Sequence, residues 1–313
     1  MARSVVGSPN VPVLACNSIN ETVIVIPWWL KIGAKLILSR FPIRYRLFSS
    51  IGIFRHGQMD DSNYAIQVFS THYDRSEFAT KRAAFVGLEI GVGDSISSAI
   101  IASAYGASKC YLVDTGRYAV EDVDTYAHIV AELNARGLNV EAISYASNID
   151  DLLTKYGGIY LVEGTKSLMS IPDESIDFIW SQAVLEHIRV KEFDVAMAEL
   201  YRIVKPGGIL SHRIDLKDHL GGALNNSRIA SKMWESEWMA RSGFYTNRIT
   251  YGDMLKRFEN AGFSVEVLGV DTWDSLPTPI REMAQEFRGL EEDELLVSGF
   301  DVLLRRREIK KQQ

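Results

Sequence analysis

The sequence has little cysteine, no excess of positive charge and no apolar run long enough to cross a bilayer. Its 313 residues include only two cysteines, Cys16 and Cys110. They lie far apart, with neither a metal-ligand spacing nor a disulfide framework, which predicts a reducing compartment. Cys110 opens an apolar stretch, where a free thiol behaves as a small hydrophobe. Lys and Arg number 34 against 40 Asp and Glu, a formal net charge of −6. The bulk field of such a chain repels nucleic acid, which is therefore not an expected partner. The first residues show no charged segment followed by an apolar run and a small-residue cleavage site. No secretory signal is expected, and the expected location is the cytoplasm. Internal repeats and low-complexity tracts are also missing.

The composition that remains is that of an ordinary globular protein, 47% hydrophobic and 24% charged, enough to bury a sizeable core. Two regions are expected. Residues 1–80 form an N-terminal extension of helices and aromatics, and residues 81–313 a main α/β domain. Within the extension, residues 22–40 are the most apolar stretch. Pro27 suits a helix start, and Lys31 and Lys35 share one face of the helix that follows. The stretch is too short and too charged for a transmembrane helix, which needs about 20 apolar residues. It reads either as a helix packed on the main domain or as an in-plane membrane helix. In the second case Trp28 and Trp29 lie in the interface and the lysines reach back to headgroups. The aromatics Phe41, Tyr45, Phe48, Phe54, Tyr64, Phe69, Tyr73 and Phe78 either cap a pocket or simply pack.

From residue 84 the pattern alternates. Short apolar runs at 84–90, 109–114, 159–163, 176–180 and 208–215 read as buried parallel strands. Helices are expected at 95–105, of small residues, at 120–136, amphipathic, and at 190–204 and 251–260. Late strands at 263–270 and 297–305 are expected to pair as an antiparallel hairpin at one edge. The order predicts a doubly wound, mostly parallel seven-stranded sheet with helices on both faces. A long insert over 217–249, after the fifth strand, is expected to be a lid, because inserts of this length are usually functional.

In such a sheet ligands bind beyond the carboxyl ends of the strands. The first site of this kind is Glu89-Ile90-Gly91-Val92-Gly93-Asp94-Ser95, whose glycines let the backbone turn tightly and approach a ligand. A nicotinamide fingerprint would need glycine at 96, and Ile96 stands there, which argues against a nicotinamide-dependent oxidoreductase. Asp114 ends the second strand, 21 residues after Gly93, where an acid accepts both hydroxyls of a ribose.

These pieces occur in a recognisable order. After Leu88-Glu89-Ile90-Gly91-Val92-Gly93-Asp94-Ser95 come Tyr111-Leu112-Val113-Asp114 and Val162-Glu163-Gly164-Thr165-Lys166-Ser167. Ile171 to His187 follows, ending in Leu185-Glu186-His187, and then Glu199 to Gly208. Over residues 83–306 the chain resembles the class I S-adenosylmethionine-dependent methyltransferases, in particular the group with a Leu-Glu-His box. The resemblance implies a Rossmann-like methyltransferase fold and S-adenosylmethionine as cofactor. It implies that Glu89, Gly91 and Gly93 lie along the methionine part and that Asp114 holds the ribose. Thr165 and Lys166 occupy the place beside the adenine where many members carry an acid and a small residue; threonine departs from that pattern. Ser181 and Gln182 would flank the sulfonium. Ser95 replaces the third glycine of the stricter family pattern.

Methyl transfer to a hydroxyl is helped by a base. His187 is one candidate, and a structural helix start is the competing reading. His212 and Asp215, on the strand after Gly208, are two more; Asp215 would act as the base or orient His219. Nothing in the spacing supports a metal, and none is expected. The amides, aromatics and arginines of the lid suit a hydroxylated or anionic acceptor, a small molecule or a glycan, lipid-linked if residues 22–40 touch a membrane. A non-catalytic binding protein on the same fold is the alternative. The sequence leaves the oligomeric state open.

Overall fold

The computed structural model describes residues 59, 61–76, 84–143 and 146–307. The 22–40 segment, Cys16 and the aromatics Phe41, Tyr45, Phe48, Phe54 and Phe78 lie outside the described residues. Of the 1–80 extension, the main described element is helix α1, Ser62–Arg75.

Seven strands form one sheet: β1 Phe85–Ile90, β2 Ala107–Val113, β3 Gly158–Leu161, β4 Ile176–Gln182, β5 Val204–Asp215, β6 Phe263–Thr272 and β7 Val297–Arg306. Their order is β3-β2-β1-β4-β5-β7-β6. The first five pair in parallel. β7 is antiparallel to both β5 and β6, the hairpin expected at one edge. The chain reverses its direction of strand addition between β1 and β4, so the crevice above Ile90 and Gln182 is the switch point where ligands bind in open α/β sheets.

Helices cover both faces. Helix α2 (Ser97–Ala104), α3 (Val123–Ala135) and α4 (Ile149–Lys155) join α1 on one side. Helices α5 (Val190–Ile203) and α6 (Tyr251–Asn260) lie on the other. The strands sort their side chains with period two. Phe178 and Trp180 of β4 face the α1 side, while Ile179 faces the α5 side. Phe69 of α1 stands edge-on to Trp180, with ring centroids 5.1 Å apart. Burying a side chain the size of Phe69 contributes roughly 1.5–3 kcal/mol, which fixes α1 against the sheet.

Two elements differ from the sequence expectation. β5 starts at Val204 and takes in Lys205, Pro206, Gly207 and Gly208, which had read as a helix stop. Val204 pairs with Ile176, and the register shifts before Ile209 meets Phe178. Pro206, without an N–H, falls in that irregular stretch, where a strand tolerates it. Helix α4 has only seven residues, too few for a periodic signal; Asn148 caps it by accepting from the Asp151 amide.

Candidate active site

Gly91 and Gly93 follow β1 with φ of +77° and +68°, a backbone region that only glycine enters without strain. Space demands glycine at 91 as well. A Cβ there would lie 2.3 Å from a methyl carbon of Val184, in the turn after β4. The loop is also tied to β2: Gly91 N–H donates to Val113 O at 2.8 Å and Gly93 N–H to Asp114 Oδ2 at 2.9 Å. Ser95 lies beneath this loop, buried, with its hydroxyl bonded to that of Ser97 at the start of α2.

Glu89 is buried under the loop. Oε1 accepts from Trp180 Nε1 at 3.2 Å. Burial pushes its carboxyl up to about 8; hydrogen bonds from Ser98 and Trp180 oppose this, and the nearby Asp114 charge adds to it. Beside Asp114 the chain after β3 closes in, with Gly164 N–H donating to Asp114 O at 2.8 Å. Thr165 and Lys166 begin the helical turn Thr165–Leu168, Thr165 half-buried and Lys166 exposed. The acid of this segment is Glu163, at the tip of the chain leaving β3. It escaped the sequence reading, although its place at the end of the run 159–163 was the signal for it.

Beyond β4 the backbone is sharply turned. Ala183 has φ of +53°, a strained conformation for a residue with a Cβ, costing of order 1–3 kcal/mol. The turn throws Val184 onto Gly91 and raises His187 on a short helical turn, Leu185–His187. His187 Nδ1 lies 2.8 Å from Tyr245 O. A carbonyl only accepts, so Nδ1 carries the hydrogen. His187 Nε2 stands 3.1 Å from Nε2 of His219, and both residues are exposed.

The structure does not bring the other two base candidates there. His212 is fully buried among side chains on the α5 side of the sheet, with Nδ1 2.7 Å from Ser181 Oγ. Burial lowers its pKa to about 3. A group closed off from any acceptor cannot be its base, so that expectation is corrected, and Ser181 faces the same interior. Asp215 ends β5 half-buried, accepting from the Lys217 amide at 3.0 Å; His219 stands against His187. Asp215 lines a small cavity of about 40 Å³ together with Glu186, Asn226, Thr246, Asn247 and Glu294. Glu186 is buried. Burial pushes it up to about 8, with the Asp215 charge in the same direction.

The insert over 217–249 folds on its own small core of Leu220, Trp234, Met239, Phe244 and Tyr245. Its arginines are committed. Arg248 donates to Asn226 O at 3.1 Å, Ile229 O at 2.6 Å and Ser231 Oγ at 3.0 Å. Arg228 pairs with Glu282, and exposed Arg241 with Glu237 at 3.8 Å. Arg228 and Arg248 are thus engaged within the protein, while Arg241 stays exposed.

Residues 88–211 match the family model described as a methyltransferase domain. Over these residues the chain carries a methyltransferase domain. It is a methyltransferase with S-adenosylmethionine as its cofactor. No curated protein matches the sequence. Among solved structures, the YcgJ protein of Bacillus subtilis is 15% identical, over 75% of this chain and 100% of that one, with a TM-score of 0.42. An S-adenosylmethionine-dependent methyltransferase from Mesorhizobium loti is 15% identical over 74% and 98%, with a TM-score of 0.39. A putative one from Listeria monocytogenes is 12% identical over 75% and 100%, also at 0.39. The residues in place fit the cofactor. The glycine loop leaves a cradle that side chains would fill, and the buried Glu89 carboxyl lies beneath it. Among the described residues no helix is long and apolar enough to cross a membrane.

Proposed function

We propose that this methyltransferase methylates a hydroxyl oxygen of a small molecule or glycan. The observation that carries this reading is the exposed imidazole pair of His187 and His219, one helical turn from the Val184 that touches Gly91. Oxygen acceptors, unlike amines with a lone pair at neutral pH, gain from a base at the moment of attack.

In this reading Gly91 and Gly93 let the backbone lie along the methionine moiety, and Asp114 accepts from the ribose hydroxyls. Thr165 takes a hydrogen bond at the adenine end, with Glu163 the nearest carboxylate and Lys166 at the rim. Glu89 faces the cationic part of the moiety. Gln182 lines the same crevice. Ser95 and Ser181 support the crevice from behind, through Ser97 and His212. When bound, the cofactor supplies a methyl group on a sulfonium, which is its own leaving group. The protein aligns the acceptor oxygen with that methyl group. The imidazole pair, held in one orientation by Tyr245 O, would take the hydroxyl proton of the acceptor.

Labelling with a 13C-methyl cofactor in a small-molecule extract tests this. Carbon NMR of the product separates O-methyl from N-methyl and S-methyl. An O-methyl product is expected, and an N- or S-methyl product overturns the reading. Asp114→Ala should weaken cofactor binding by tenfold or more at roughly 1.4 kcal/mol per decade, measured by calorimetry. The 22–40 segment adds a lipid-linked acceptor to the proposal; vesicle flotation with and without residues 1–45 decides it, and equal partitioning removes it.

A further inference from the structure

Helix α1 lies outside the segment matched by the family model, yet it reaches the cofactor crevice through one side chain. His72, in its last turn, is buried. Nδ1 lies 2.7 Å from Ser211 Oγ on β5, and Nε2 lies 3.1 Å from Gln182 Oε1 at the end of β4. The helix is pinned where this contact is made: Arg75, one turn on, binds Asp301 at 2.9 Å, and Asp301 also holds Arg213 of β5 at 3.1 Å.

The hydrogens in this chain follow from its ends. Ser211 is fully buried, and His72 is the one side-chain partner of its hydroxyl among the described residues. A buried hydroxyl that gave its proton to nothing would leave that donor unsatisfied at a cost. Ser211 therefore donates to Nδ1. His72 is neutral, its pKa lowered to about 4 by burial, so its single hydrogen sits on Nε2. That hydrogen is given to Gln182, whose oxygen must then face the helix. The amide NH2 of Gln182 is left facing away from α1, above the carboxyl end of β4 and beside the turn at Ala183 that carries Val184 onto Gly91.

An amide NH2 only donates. It is repelled by a sulfonium and suited to an anion, and the anion of the cofactor is the carboxylate of its methionine moiety. We propose that His72 is a positioning residue that fixes the amide of Gln182, so that its NH2 donates to the cofactor carboxylate. This rests on the reading above that Gln182 lines the cofactor crevice. The swapped amide would offer the carboxylate an oxygen instead of a donor, and the role of His72 is to forbid that rotamer.

Two probes separate this role from a merely structural one. S-adenosylhomocysteine has the carboxylate; 5′-methylthioadenosine keeps the adenine and ribose and lacks the amino-acid tail. Both are titrated by calorimetry into the full chain. Gln182→Ala and His72→Leu should each weaken S-adenosylhomocysteine by roughly ten- to hundredfold, the worth of a hydrogen bond to a charged group, and leave 5′-methylthioadenosine unchanged. The double variant should bind no worse than Gln182→Ala alone. His72→Gln, which also accepts from Ser211 and donates to Gln182, should retain most of the affinity. If His72→Leu does not fold, Ser211→Ala makes the same test, because it removes the donor that sets the tautomer. Unchanged selectivity in Gln182→Ala overturns the placement of Gln182. With that loss present, additive losses in the double variant, or equal weakening of both probes by His72→Leu, overturn the role of His72.

Discussion

Gly91 and Val184 are in contact so close that no side chain fits at position 91: a Cβ would meet the valine at 2.3, 2.7 and 3.0 Å. The turn after β4 thus sits on the turn after β1, and the two strand ends that frame the crevice are locked to each other.

Gly91→Ala should therefore fail twice, through the clash and through φ of +77°. The cost of the backbone conformation alone is of order 1–2 kcal/mol. The predicted result is a folded protein of lowered melting temperature with S-adenosylhomocysteine binding lost. Adding Val184→Ala should recover part of the stability by making room. Normal binding by Gly91→Ala would show that the two turns move apart freely.

Cofactor binding should be linked to pH through Glu89. Its carboxyl is pushed up to about 8 in the free protein, so it is mostly protonated at neutral pH. A cationic moiety beside it favours the ionised form and lowers that pKa, so binding expels a proton. Affinity should rise with pH up to about 8 and then level off. Calorimetry at pH 7 in two buffers of different ionisation enthalpy should show proton release. Glu89→Gln should abolish the release and flatten the profile; proton uptake in the wild type would contradict the argument.

Arg248 should prove to be the fastening of the insert. Its guanidinium lies over Trp234 and Phe287, 5.2 and 4.8 Å from the ring centroids, while it donates to two carbonyls and a hydroxyl. Burial lowers its pKa to about 10, so it stays charged at neutral pH. Lysine cannot reproduce a planar fork between two rings. Arg248→Lys should lower the local opening free energy of the insert by about 2 kcal/mol. Hydrogen exchange should quicken over 218–248 and not in β1 or β4; equal change everywhere would refute a local fastening.

What was legible in the sequence was local. Gly91, Gly93 and Asp114 stand at strand ends, where the strand pattern placed them; their roles toward the cofactor rest on the resemblance. The edge pairing of β6 and β7 followed from two late strand patterns with no strong crossover pattern of their own. What was not legible depends on packing between distant segments. Alternation along β5 puts His212 on the face opposite Arg213, but not that α5 and α6 close that face. The bond from His72 to Gln182 spans 110 positions and needs the docking of α1 on Trp180. The pairing of His187 with His219 depends on the path of the insert, as does the use of Arg248 on carbonyls rather than on a ligand.

Four buried groups should give the cofactor-free protein a stability plateau with two falling limbs. Glu89 and Glu186 stand at about 8 when folded against 4.5 ordinarily. His72 and His212 stand at about 4 and about 3 against 6.5. A carboxyl with a raised pKa stabilises the fold below 4.5 and loses that contribution as pH climbs to 8. An imidazole with a lowered pKa contributes fully above 6.5 and loses it as pH falls towards 3. Between 4.5 and 6.5 the folded state holds two extra carboxyl protons and the unfolded state two extra imidazole protons, so the slopes cancel. Above 6.5 the carboxyl effect stands alone, below 4.5 the imidazole effect, each limited to about 1.4 kcal/mol per pH unit and group. Urea midpoints across this range should therefore fall on both sides of a plateau near pH 5.5. Glu186→Gln, which keeps a neutral side chain of the same shape, should halve the alkaline slope. A midpoint that rises from pH 6.5 to 8 in the wild type would mean that these two carboxyls are ionised in the folded protein, stabilised by partners that their burial here does not provide.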